Sequence, residues 1–121
     1  MRGILVAVTI ALAGAQSVAA EGDAAAGEKV FKKCAACHAV DEGKKKVGPT
    51  MFGVWGREAG AVDGYIYSTA MGEAGFVWDE EHLSGFLASP KKYLPGTKMS
   101  FPGIKKQEQI SDLLAYLESL Q

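Results

Sequence analysis

Five residues, Cys34-Ala35-Ala36-Cys37-His38, constrain this chain more than any other stretch. Two cysteines three apart, followed at once by histidine, is the spacing at which c-type haem is attached. Two thiols must add across the two vinyl groups on one edge of a porphyrin. On a helix, Cys34 and Cys37 are i,i+3 neighbours and His38 is i+4 from Cys34, so all three lie on one side. The imidazole can then reach the iron axially while two thioethers hold the ring edge. These are the only two cysteines in the sequence. A redox disulfide would be expected in a βαβ context, whereas the flanks here read as helix and glycine-rich loop. A structural zinc site takes four Cys or His ligands, and outside the C-x-x-C-H stretch only His82 remains to complete one.

A second anchor lies further on, in Leu94-Pro-Gly-Thr-Lys-Met-Ser-Phe-Pro-Gly103. A Met99 thioether as sixth iron ligand gives His/Met coordination, which raises the reduction potential of haem iron. The prolines and glycines make an irregular, stiff loop suited to presenting one sulfur at a fixed place. A methionine alone is more often a core residue; beside C-x-x-C-H it reads as a ligand. Met71 is a rival thioether. His82, between acidic residues and a leucine, is expected at the surface, with a bis-His haem as the competing reading.

With these motifs in hand, the chain resembles a class I cytochrome c, of the mitochondrial-like kind that in bacteria is a soluble periplasmic electron carrier. The resemblance runs from about Gly22 to Leu120. Its motifs are Gly27-Glu-Lys-Val-Phe31, Cys34 to His38, Val47-Gly-Pro-Thr-Met51, Trp78 and Pro90-Lys-Lys-Tyr-Leu-Pro-Gly-Thr-Lys-Met99. It implies an all-α, haem-centred fold, with N- and C-terminal helices packed together and short helices and loops wrapping the haem. It implies one haem c held through Cys34 and Cys37, with His38 and Met99 on the iron. Arg57, Tyr67, Trp78 and Thr97 are the expected further contacts to the cofactor. Arg57 suits a propionate in bidentate geometry. By resemblance, the Pro49 carbonyl would accept the second N–H of His38 and so fix the ring and its tautomer.

The implied activity is one-electron transfer by a monomer that catalyses no reaction of its own. Implied partners are quinol–cytochrome c oxidoreductase, a terminal oxidase or photosynthetic reaction centre, and periplasmic dehydrogenases. Lys32, Lys33, Lys91, Lys92 and Lys98 flank the haem motifs and would steer docking onto acidic surfaces. The alternatives are a haem peroxidase or small-ligand sensor with a labile sixth ligand, and a thiol–disulfide oxidoreductase.

Residues 1–20 read as a secretory signal peptide, with Arg2, an apolar run from Ile4 to Ala15, and small residues in Ser17-Val-Ala-Ala20. Cleavage is expected after Ala20, which leaves a domain of residues 21–121 in the periplasm. The apolar run is short for a membrane span. The full chain carries 13 basic and 14 acidic residues, a balance that gives no support to nucleic-acid binding.

Three helices are expected. The first runs from Ala24 to Ala36 with Asp23 as N-cap. Its Gly27 is read, by resemblance, as the point where the C-terminal helix approaches. The second covers Asp79 to Ala88, with Leu83, Phe86 and Leu87 inward. The third covers Lys106 to Leu120, with Ile110, Leu113, Leu114 and Leu117 at i, i+3, i+4, i+7. Gly53 to Gly64, with four glycines, reads as a loop at the propionate edge. Two positions depart from the family pattern: Met71 stands where asparagine is common and Phe86 where tyrosine is common. The Met99 side of the haem is therefore expected to be drier than usual.

Overall fold

The computed structural model describes Ala7, Val8, Ile10 and residues 20–121. Most of the expected signal peptide therefore lies outside the described residues. Helix α1 spans Ala24–Val30, α2 Thr69–Gly72, α3 Glu80–Ala88, α4 Pro90–Tyr93 and α5 Gln107–Ser119. A 3₁₀ turn, Phe31–Lys33, continues α1. Among the described residues β-pairing is confined to one isolated bridge, Glu58 to Val77.

The ends of α1 and α3 follow from their caps. The Asp23 carboxylate accepts the N–H groups of Ala25 and Ala26, and Asp79 accepts the N–H of His82 at 2.8 Å. Each satisfies donors that the first turn of a helix leaves without partners.

Helices α1 and α5 pack against each other through the contact expected at Gly27. A Cβ there would stand 1.9 Å from the carbonyl oxygen of Asp112. Only glycine lets the two backbones approach so closely. Beside that contact, Phe31 and Tyr116 stack with ring centres 5.5 Å apart. Ile110, Leu113, Leu114 and Leu117 are all buried, as their spacing predicts. Leu83, Phe86 and Leu87 of α3 and Trp78 join them in one core cluster.

The expected α-helix through Ala36 is corrected. It ends at Val30, tightens into the 3₁₀ turn, and gives way to successive turns from Cys34 to Cys37. The Cys34 carbonyl still accepts the N–H of Cys37 at 3.0 Å and of His38 at 2.9 Å. These are the i+3 and i+4 bonds the motif argument required, made without a continuous α-helix.

The glycine-rich stretch is a loop, with Gly53, Gly56, Gly60 and Gly64 all at positive φ. Backbone bonds from Gly56 to Trp78, Trp78 to Arg57 and Ala59 to Phe76 pin this loop to the segment ahead of α3. That pinning sets where Arg57 and Trp78 stand.

Candidate haem site

Cys34, Cys37, His38, Arg57, Tyr67, Trp78, Thr97 and Met99 all line one cavity of about 420 Å³. Its remaining walls are largely apolar, with Phe31, Met51, Val54, Leu83, Leu113 and Leu117 among them. Helices α3 and α5, the α1 extension and three loops therefore all contribute to one hollow. A broader depression between Trp55 and the acidic start of α3 holds none of the eight residues.

His38 enters from the turn that follows the motif. Its Nδ1 lies 2.8 Å from the Pro49 carbonyl. A carbonyl can only accept, so Nδ1 carries the proton and Nε2 keeps its lone pair. Gly48 packs flat against the ring, and a Cβ there would come within 2.3 Å of Cε1. Burial lowers the pKa of His38, with Arg57 and Lys46 adding to the effect and the Pro49 bond opposing it. The imidazole is thus held neutral and oriented, the state a metal ligand needs.

Cys34 is half-buried and Cys37 exposed. Burial pushes the Cys34 thiol up to about 11, against a smaller opposing pull from Lys33. A redox-active thiol needs the reverse, a depressed pKa. The raised Cys34 pKa gives the thiol–disulfide reading no support.

Arg57 is half-buried, and its Nη1 donates to the carbonyls of Thr50 and Phe52 at 3.1 and 3.2 Å. Its Nε is buried with no partner in the protein. A buried donor left unpaired is costly, and this one lies on a side chain lining the cavity. An anionic group lodged there would satisfy it. Tyr67 accepts the Val62 N–H at 3.1 Å through its hydroxyl, whose proton stays free to donate. Trp78 is buried, with Phe86 at 5.1 Å and Phe76 at 4.9 Å between ring centres. The Thr97 hydroxyl accepts the Met99 N–H at 3.4 Å, which ties the methionine loop to itself.

Met71 and Phe86 both line the cavity, so the expected apolar lining is present and the rival thioether is real. His82 is not a lining residue. It is half-buried rather than on the open surface, because it stacks on Phe76 with ring centres 4.4 Å apart and bonds Asp79 through Nδ1 at 2.7 Å. That leaves no geometry for a bis-His haem.

Sequence reasoning missed links among residues that line the cavity. Tyr65 donates from its hydroxyl to the Val47 carbonyl at 2.8 Å. The Lys98 ammonium bonds the Ile66 carbonyl and sits 4.7 Å over the Tyr65 ring. No local pattern announces such pairs. The one available hint was Lys98 standing directly before Met99.

A helical shell, an apolar hollow, two cysteines at its edge, an oriented neutral imidazole, a thioether and an unpaired buried arginine donor all fit a haem. They define a haem-binding protein of the covalently attached kind. The comparisons with known proteins agree. The family model described as Cytochrome c matches residues 24–121. Cytochrome c of Nigella damascena is 50% identical over 99 residues, covering 80% of this chain and 89% of the relative. Cytochrome c2 of Blastochloris viridis is 44% identical over 108 residues, covering 88% and 85%. The solved structure of cytochrome cH from Methylobacterium extorquens superposes with a TM-score of 0.77 at 50% identity, covering 81% of this chain and 99% of that one. The chain belongs to the cytochrome c family, electron carriers bearing covalent haem c. None of these comparisons favours the peroxidase or sensor reading.

Proposed function

We propose that the chain is exported to the periplasm and there carries single electrons between a membrane quinol oxidoreductase or periplasmic dehydrogenase and a terminal oxidase or photosynthetic reaction centre. The observation that carries this reading is the joint presence of His38 and Met99 on one cavity with both cysteines. Two protein ligands leave iron no open position for substrate, and His/Met is the pairing suited to a carrier.

Haem supplies a ferric/ferrous couple that exchanges one electron without bond breaking. The protein's part is to hold it. Cys34 and Cys37 would form the thioethers. The bond from His38 to Pro49 keeps Nε2 free and oriented, so His38 would be one ligand to the iron, and the Met99 thioether would be the other. Arg57 would pair a propionate through its free Nε. Phe86, Met71 and the leucines of α3 and α5 keep water from the hollow.

Lys32, Lys33, Lys91, Lys92 and Lys98 are exposed, and Lys33 and Lys98 line the cavity itself. Positive charge beside the exposed edge would steer encounter with acidic partners and weaken with salt. Contacts of this kind are small and short-lived. Among the described residues no helix is long and apolar enough to cross a membrane.

The test is stopped-flow electron exchange with a quinol oxidoreductase and an oxidase, across ionic strength, with cyanide present and absent in the carrier's own spectrum. Rates that fall with salt, slow further in Lys91→Glu/Lys92→Glu, and a spectrum untouched by moderate cyanide are expected. Rapid cyanide binding with peroxide turnover would favour the enzyme reading instead.

A further inference from the structure

The chain is attached to α5 well ahead of α1. Ala20 packs on the core cluster, and its N–H donates to the Glu118 carboxylate at 2.7 Å. Gly22 lies so close to the helix that a Cβ there would stand 2.0 Å from the Ser111 carbonyl oxygen. The Asp23 N–H donates to Asp112 Oδ1 at 2.9 Å. Residues 20–23 thus run along α5 by successive, specific contacts.

Glu118 is oddly placed for a carboxylate. It stands in the last turn of α5, where the carbonyl end of the helix disfavours negative charge. That turn holds no basic residue. Among the described residues the ion pair found is His82 with Asp79, so Glu118 has no side-chain cation. Its partner is the Ala20 nitrogen. In the full chain that atom is a neutral peptide nitrogen. A cut directly before Ala20 would make the same atom an α-ammonium and supply the missing positive charge.

The sequence around that bond suits the cut. Signal peptidases take small residues at the first and third positions before the scissile bond. Cleavage before Ala20 places Ala19 and Ser17 there; cleavage after Ala20 places Ala20 and the bulkier Val18. The later cut would also discard the Ala20 packing and its bond to Glu118.

We propose that the mature chain begins at Ala20, released by signal-peptidase hydrolysis of the Ala19–Ala20 bond, and that its α-ammonium pairs with Glu118 to fasten the N-terminus to the end of α5. The inference rests on the export reading above and moves the expected cut one residue upstream. The hydrolysis consumes one water. Ala19 leaves with the new carboxylate, and the Ala20 amine takes up a proton at neutral pH, since an α-amino group titrates near about 7.7–8.0.

The experiment is expression of the full precursor in an exporting, haem-attaching host, followed by intact-mass measurement and N-terminal sequencing of the holoprotein. A chain starting at Ala20 is expected. A chain one alanine lighter, starting at Glu21, or any other start after export overturns the inference and leaves export standing. A haem-bearing chain that retains residue 1 overturns the cut alone, whereas a haem-free chain that retains residue 1 and fractionates with the cytoplasm overturns the export reading itself. A second measurement isolates the pair: denaturant unfolding of wild type and Glu118→Gln, each with the α-amine free and acetylated. Acetylation keeps an N–H donor and removes the charge. Glu118→Gln should raise the unfolding constant about two- to fivefold in the free-amine protein, the range of a partly exposed pair, and by much less in the acetylated one. Equal effects in both would overturn the ion pair.

Discussion

Replacing Gly27 by alanine should loosen the contact between α1 and α5. The new Cβ would lie 1.9 Å from the Asp112 carbonyl oxygen, 2.6 Å from its carbon and 2.8 Å from the Tyr116 Cβ. Ordinary contact needs about 3.5 Å, so the helices must part by roughly 1.5 Å. The obstacle is backbone, which cannot swing aside as a flexible side chain would. Overpacking of this kind costs about 1–3 kcal/mol. Alanine regains about 1 kcal/mol of helix propensity over glycine. With a clash this deep the cost should sit at or above the top of its range, leaving a net loss of about 2 kcal/mol. Guanidinium unfolding of the haem-loaded protein, followed by far-ultraviolet circular dichroism, reads this directly. Gly72→Ala is the internal control, since nothing lies within 4 Å of a Cβ at that helical position. It should be neutral or slightly stabilising. A Gly27→Ala loss below about 0.5 kcal/mol, the scatter of ordinary surface changes, would refute the reasoning.

Other substitutions probe the site and its supports. Arg57→Met should lower the reduction potential, because removing a cation near the haem favours the ferric state; an unchanged potential in a redox titration would mean that Arg57 does not face a propionate. Phe86→Tyr puts a phenol into an apolar stretch of cavity wall, and a redox titration beside wild type should show a shifted potential, whereas no shift removes the argument that a donor to the Met99 sulfur matters. Asp79→Ala should cost about 1 kcal/mol through loss of the α3 cap, read by thermal unfolding. The Asp79 carboxyl is held below its ordinary pKa, first by the His82 backbone N–H and then by the His82 side chain. Its contribution is therefore complete above the unfolded-state value of about 3.9 and fades as pH falls through the lower folded value. The wild-type advantage over Asp79→Ala should vanish in strong acid and persist at pH 7.

The sequence made the long helices and the ligand motifs legible for physical reasons. Helix α5 spans enough turns for Ile110, Leu113, Leu114 and Leu117 to declare a face, and all four are buried. Asp23 announced the start of α1 through side-chain chemistry that acts within three residues, whereas Asp79, read as the first residue of its helix, caps it from one position before. The stop of α1 at Val30 had no such signal, since Phe31-Lys-Lys-Cys34 contains neither glycine nor proline. Helices α2 and α4 have four residues each, too few to show a period. The eight expected site residues line one cavity; covalent haem chemistry fixes residue types and spacing for Cys34, Cys37 and His38, whereas Arg57, Tyr67, Trp78, Thr97 and Met99 were legible through the family resemblance. The Tyr65–Val47 and Lys98–Ile66 links join residues 18 and 32 positions apart, and such pairings exist only once the chain has folded. The stack of His82 on Phe76 is of the same kind.

We propose that His38 and Met99 together ligate a covalently held haem. The most direct measurement is the absorption spectrum of the protein from a haem-attaching periplasmic host, oxidised and then reduced, beside Met99→Ala and Met71→Ala. A sharp low-spin c-type spectrum with the weak ferric sulfur-to-iron band is expected, the band lost in Met99→Ala and kept in Met71→Ala. A high-spin spectrum, or a band that survives in Met99→Ala, would contradict it.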